Sequence, residues 1–182
     1  MSQVCFPYTI VEPSPLVADP IANVTFKNKA DPAKLVNLDI YVDTGAFITL
    51  LPKSFATLLG LNLASGIKLT LYGVGGGKLT TYVHLLTCEL ASGIEIDLPA
   101  AIADVDYLGS PLFGNLGAWD QIGQLSFDNT LMKLCFSNVT FKDQTATMQW
   151  LQQQSRILQV EETVSNIFKL AVLVGIAKIF FG

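Results

Sequence analysis

The sequence predicts a mostly β domain with short helices and a helical C-terminal extension. Three observations carry that prediction: alternation of apolar and polar residues, turn-forming clusters between the alternating runs, and a change to helical spacing near the end. Ile67, Leu69 and Leu71 alternate with Lys68, Thr70 and Tyr72, and Ile94, Ile96 and Leu98 alternate with Glu95 and Asp97. A period of two sends one set to a core and the other to water. Asn28 to Pro32, Gly73 to Gly77 and Ala91-Ser92-Gly93 supply turn chemistry between the runs. Short, closely spaced strands of this kind form hairpins.

In chain order, residues 1–21 form a proline-rich arm, because Pro7, Pro13, Pro15 and Pro20 break helices and cannot donate to a central ladder. Residues 22–138 form the compact domain. Within it, Pro52 to Leu59 spaces Phe55, Leu58 and Leu59 as a helix that starts on a proline. Leu116 to Ile122 reads as a second helix ended by Gly123. Gln124 to Phe127 and Leu131 to Phe136 read as a closing strand pair, turned at Asp128-Asn129. Residues 139–163 form an amphipathic linker, with Met148, Leu151, Ser155 and Leu158 on one stripe of a helix over Gln144 to Gln159. Residues 164–182 form a hydrophobic C-terminal helix. Its apolar run reaches only the lower length limit for a bilayer span, so membrane attachment and burial in an oligomer both remain open.

A chain of 182 residues has room for one core. With 51% hydrophobic and 14% charged residues, it is neither disordered nor fibrous. A net charge of −4 gives no footing for binding a polyanion, so nucleic acid is not expected as a partner. Cys5, Cys88 and Cys135 are far apart, lack a CxxC pair, and have a single histidine, His84, for company. That inventory cannot build a zinc site, so no metal is expected. The three cysteines are read as reduced, buried thiols of a cytoplasmic protein rather than a disulfide framework. The N-terminal residues lack the basic and apolar regions of a secretory signal.

The sharpest chemical feature is Leu38-Asp39-Ile40-Tyr41-Val42-Asp43-Thr44-Gly45-Ala46. A hydrophobic strand delivers Asp43 onto a tight turn, Thr44 can hydrogen-bond to structure around it, and Gly45 allows a second backbone to approach. Two such carboxylates brought together cannot both ionise, so one acts as base toward water and the other as acid toward a carbonyl. A bare Asp-Thr-Gly is equally a β-turn, and its surroundings distinguish the two. Tyr72-Gly73-Val74-Gly75-Gly76-Gly77 is a glycine loop between strands. It is not a phosphate loop, since Lys78 to Val83 continues as strand instead of opening a helix. A plain hairpin and a mobile lid both fit it. His84 lies mid-strand without a nearby nucleophile and reads as structural. Asp97, Asp104, Asp106, Asp120 and Asp128 lack the Thr-Gly context and read as surface or turn carboxylates.

The segment from Val42 to Pro52 resembles the active-site segment of retropepsin-like aspartic proteases. The glycine loop matches that family's flap in position. Pro111-Leu112-Phe113-Gly114-Asn115-Leu116, followed by Ala118 to Gly123 and Leu125 to Asp128, resembles its later turn, short helix and final strand. The resemblance covers roughly residues 22 to 137. Asn115 departs from it, standing where many relatives carry Arg or Asp.

The resemblance implies a single-lobe acid protease barrel that dimerises and hydrolyses peptide bonds of a polypeptide substrate without a cofactor. It implies Asp43, Thr44 and Gly45 as catalytic positions, and Ala46, Tyr72, Gly73, Val74, Gly75 and Gly76 as substrate-binding positions. Because the chain carries one Asp-Thr-Gly, a second copy must complete the pair. The alternative is a noncatalytic dimeric binding or scaffold module on the same fold.

Overall fold

A computed structural model describes residues 3–10, 18–73, 76–91, 93–107 and 109–159. The chain divides into two compact units, Met1–Met148 and Gln149–Gly182. The first holds every strand among the described residues: β1 (Gln3–Pro7), β2 (Thr9–Ile10), β3 (Ala18–Asp19), β4 (Ile21–Asn28), β5 (Leu35–Val42) and β6 (Thr49–Leu51), then β7 (Ile67–Tyr72), β8 (Lys78–Ala91), β9 (Ile94–Ala103), β10 (Leu112–Phe113), β11 (Ile122–Asp128) and β12 (Lys133–Val139).

Six of them close into a barrel in the order β4-β5-β10-β6-β9-β8, with β4 pairing back onto β8 and β7 continuing the sheet from β8. Closure removes the free edges of those six strands. Along β4, Ala22, Val24 and Phe26 point inward while Asn23, Thr25 and Lys27 face out. Along β5, Ile40 and Val42 are buried and Asp39 is exposed. Ile96, Leu98 and Ile102 of β9 and Leu86 and Leu90 of β8 complete the apolar interior.

β9 breaks the expected alternation, since every residue from Ile96 to Ala103 is buried. Its outer face is covered by the turn at 115–121, where Gln121 Nε2 donates to the Asp97 carbonyl at 2.6 Å. Asp97 is therefore not a surface carboxylate. It is 3% exposed, pairs with Lys29, and accepts a hydrogen bond from Thr87 Oγ1 at 2.7 Å. A charge buried this deeply needs such partners. Asp106 is exposed, as expected of a surface carboxylate, and also caps the next helix by accepting the Ser54 N–H at 2.8 Å.

That cap opens α1 (Ser54–Leu58), which buries Ala56 and Leu59 but leaves Leu58 exposed, contrary to the expected apolar stripe. The helix expected at Leu116 to Ile122 is a pair of turns. Gly117 adopts φ +74, which ends any helical run there. Gly123 belongs to β11 rather than to a helix cap, and a Cβ on it would meet Asn138 Cβ at 2.9 Å. The expected closing pair forms as β11 and β12, with Asp128 Oδ1 accepting the N–H groups of Thr130 at 3.0 Å and Leu131 at 2.8 Å.

The N-terminal arm is not merely extended. β1 adds to β12 as the outer strand of a three-stranded sheet β1-β12-β11, and Pro7 sits at its end, where a missing donor costs nothing. The register places Cys5 opposite Cys135, and the two form a disulfide. The expectation of three reduced thiols fails there, because sequence separation hid a cross-strand contact. The argument for a cytoplasmic setting loses that support. Cys88 alone is a free, buried thiol, and burial pushes its pKa well above the ordinary value.

Residues 145–159 are helical and straddle the boundary between the units. Leu151 and Ser155 of the expected stripe are buried, whereas Leu158 is exposed. Among the described residues no helix is long and apolar enough to cross a membrane. The hydrophobic segment 164–182 lies outside them, as do Val74 and Gly75 of the glycine loop.

Candidate active site

The centre of the candidate site is the turn between β5 and β6. The last core residue of β5, Val42, is buried, and the next residue emerges as a partly exposed Asp43. Its carboxylate is held by its own turn, with Gly45 N–H donating to Asp43 Oδ1 at 2.8 Å. Ala46 N–H donates to the Asp43 carbonyl at 3.2 Å, closing the turn. A Cβ on residue 45 would lie 3.2 Å from Asp43 Oδ1. The close approach that glycine permits is thus made by the carboxylate itself; no second backbone enters from the described chain.

The short strand β10 holds this turn from beneath. It lies parallel to β5 and antiparallel to β6, and the Phe113 carbonyl accepts the Asp43 N–H at 3.2 Å. The chain then threads under the β6 start. Gly114 N–H donates to Thr49 Oγ1 at 3.1 Å, Asn115 N–H to the Ala46 carbonyl at 2.9 Å, and Leu116 N–H to the Phe47 carbonyl at 2.8 Å. A Cβ at residue 114 would fall 2.3 Å from the Ile48 carbonyl carbon and 2.7 Å from Thr49 N. Both atoms belong to the Ile48–Thr49 peptide, and because backbone rather than a flexible side chain would be struck, glycine is obligatory there. Asn115 contributes through its main chain, while the residue itself is exposed.

Behind Phe113 lies an aromatic stack. Its ring is 5.7 Å from Trp119 and 5.7 Å from Phe136, which in turn meets Phe6 of β1 edge-on at 5.9 Å. Rings at these separations and tilts attract beyond their buried area. The terminal sheet thereby buttresses the strand that carries the Asp43 turn.

Thr44, which can hydrogen-bond to structure around it, is exposed, and its hydroxyl makes no hydrogen bond within the described residues. Ala46 is half-buried and takes part through its main chain. Tyr72 and Gly73 sit on the β7–β8 hairpin, closed by Gly73 N–H to the Gly77 carbonyl at 2.9 Å and Gly76 N–H to the Gly73 carbonyl at 3.1 Å. Gly76 requires its glycine, at φ +82. Tyr72 is 68% exposed, and Lys78 Nζ stands 5.6 Å from the centre of its ring. Among the described residues no hydrogen bond joins Asp43–Ala46 to this hairpin, and the two sets occupy separate elements.

His84 is half-buried in β8 and donates from Nε2 to the Leu63 carbonyl at 3.1 Å. Burial holds its pKa below the ordinary value against the opposing pull of that bond. Among the described residues no group of three or more His, Cys, Asp or Glu converges on a common point.

Sequence reasoning passed over Thr49, Tyr41 and Asp19. Thr49 is an ordinary strand residue until Gly114 is threaded beneath it. Tyr41 lies near the end of β5, two residues before Asp43, a spacing that the sequence did show. Its phenol is raised above the ordinary pKa mainly by burial, then by the charge of Asp19, a hydrogen bond to Asp19, and the charge of Asp43.

No protein-family model matches this chain, and no curated protein does. Among solved structures, a retropepsin-like aspartic protease from Rickettsia conorii superposes with a TM-score of 0.52 at 17% identity, covering 75% of this chain and 99% of that one. EIAV protease complexed with the inhibitor HBY-793 is 23% identical over 56% of this chain and 86% of that one. Its TM-score of 0.39 is too low to support an argument. The chain has a retropepsin-like fold.

Proposed function

We propose that this chain, folded as a retropepsin-like barrel, is an aspartic endopeptidase that works as a homodimer. The observation that carries the reading is the Asp43 turn. A partly exposed carboxylate is oriented by the Gly45 N–H and fixed from below by the Gly114 threading. A carboxylate preset in this way can share a proton with a symmetry mate and activate a water between them. One Asp-Thr-Gly occurs in the sequence, so the second acid comes from a second copy across a two-fold axis. The exposed, unpartnered Thr44 hydroxyl at the same turn suits a contact of that kind. The polypeptide substrate lies between the Asp43 pair and the two β7–β8 hairpins, with Tyr72 offering its exposed ring.

The experiment is cleavage of a peptide library by the full chain beside Asp43→Asn. The expected result is a loss of at least about a hundred-fold, the scale of a removed general acid–base group. Equal cleavage by both proteins removes Asp43 from the mechanism. No cleavage by either, from a protein that still dimerises, favours the noncatalytic module. Activity is expected over an acid-shifted, bell-shaped pH range, because one carboxyl of the pair must keep its proton.

A further inference from the structure

The geometry points to the Cys5–Cys135 bond as a thiol-exchange site, opened at Cys5 by a small thiol, that releases β1 from β12 while the barrel stays folded. The consequence for cleavage rests on the protease reading above; the exchange itself does not.

β1 is the part of the terminal sheet that can come away. It has five residues, and among the described residues it pairs with β12 alone, whereas β12 lies between β1 and β11. Val4 is buried and Phe6 turns onto Phe136, so the alternation leaves Gln3, Cys5 and Pro7 on the exposed outer face. Cys5 stands at the centre of the register, between the pairs Val4–Phe136 and Phe6–Leu134. The other ties are few. Gln3 Nε2 donates to Ser137 Oγ at 3.1 Å, and the Tyr8 hydroxyl to Asn129 Oδ1 at 3.1 Å, both in exposed positions. A short edge strand held in this way opens far more readily than a closed barrel once its covalent tie is cut.

The cysteines differ in what can reach them. Cys5 is exposed, while Cys135 is 2% exposed, so an attacking thiolate meets Cys5 first. Exposed disulfides are the ones that exchange. Cys88 is enclosed in the barrel core, away from the outer face of the terminal sheet, so the attacking thiol comes from outside the chain. Its thiolate bonds to Cys5 Sγ, the S–S bond breaks, and Cys135 leaves as a thiolate that takes up a proton. A second small thiol attacks the mixed disulfide, leaving the Cys5 thiol and a small-molecule disulfide. The protein bond is reduced by two electrons and two thiols are oxidised. Once β1 is released, Phe136 loses Phe6, and Phe113, stacked on Phe136, loses part of its backing. Phe113 is the residue whose carbonyl accepts the Asp43 N–H, so the opened form holds the Asp43 turn less firmly.

The test incubates the full wild-type chain with reduced glutathione well below its melting temperature. Free thiols are trapped with an alkylating reagent and mapped by mass spectrometry, beside amide hydrogen exchange. Cys5 and Cys135 are expected to be trapped at least about a hundred-fold faster than Cys88, which waits for the barrel to open. Glutathione should be found on Cys5, and amide exchange should quicken in β1 and β12 but not in β8 or β9. Trapping of all three cysteines at one rate would mean that the bond opens only on unfolding, and overturns the inference. A bond that resists glutathione, or β1 amides that keep their oxidised rate after reduction, does the same. Reduced wild type should cleave peptide more slowly than oxidised, with reoxidation restoring the rate; equal rates overturn the link to the Asp43 turn. If oxidised wild type cleaves nothing, the protease reading fails while trapping and amide exchange still decide this one.

Discussion

Gly114 shows how little freedom single positions leave around the candidate site. A methyl group there would sit 2.3 Å from the Ile48 carbonyl carbon, and neither backbone can move without opening the β6–β10 contact. Gly114→Ala is expected to cost about 3 kcal/mol, read as a lowered midpoint in denaturant. A wild-type midpoint would show that the threading is looser than its geometry. His84 allows a prediction about pH. Burial lowers its pKa in the folded chain below the ordinary 6.5, so between those two values the unfolded chain binds more protons. Stability attributable to His84 is therefore present above about pH 6.5 and falls as pH drops below it. His84→Gln, which keeps a donor for the Leu63 carbonyl, should flatten that part of a stability–pH curve relative to wild type. Gly66 is tied to the same contact, since a Cβ there would meet His84 Nε2 at 2.6 Å.

Among the elements, the terminal sheet has the largest testable consequence. The Cys5–Cys135 bond links residues 130 apart in sequence, so it removes much of the freedom of the unfolded chain. A loop of that length corresponds to about 4–5 kcal/mol in the chain-entropy picture. A dithiol reductant should lower the melting temperature of wild type by several degrees and leave Cys5→Ser unaffected. Equal response of both proteins would mean that the bond contributes nothing. Because β1 packs Phe6 against Phe136, and Phe136 against Phe113, loosening β1 should also weaken support for the Asp43 turn. At this scale the sequence was partly legible. The β7–β8 and β8–β9 hairpins follow from alternation and turn chemistry, both of which are local. β10 has two residues, too short for any periodicity, and exists only because β5 and β6 leave a slot between them. The segment 115–121 carries helical spacing, yet Gly117 and the need to cover β9 turn it into bends.

For the whole molecule, the homodimer reading makes activity depend on protein concentration. If two chains complete one site, the rate per chain should fall on dilution once the concentration drops below the dimer dissociation constant. A rate per chain that stays constant while sedimentation reports monomers would exclude a shared site. Added inhibitor or substrate should shift the equilibrium back toward dimer, since it binds only the assembled cleft.

The sequence by itself determined the β class, the hairpins, and the Asp-Thr-Gly turn at the end of a hydrophobic strand. Each of these is written in neighbouring residues: a period of two, a glycine cluster, an apolar run ending in an acid. Only the tertiary structure decided the closing of β4 onto β8, the threading of Gly114 under Ile48, the Cys5–Cys135 bond, and the burial of Asp97. Those contacts join residues that are distant along the chain. They are set by how strands pair and which surfaces cover one another, and no local pattern encodes either.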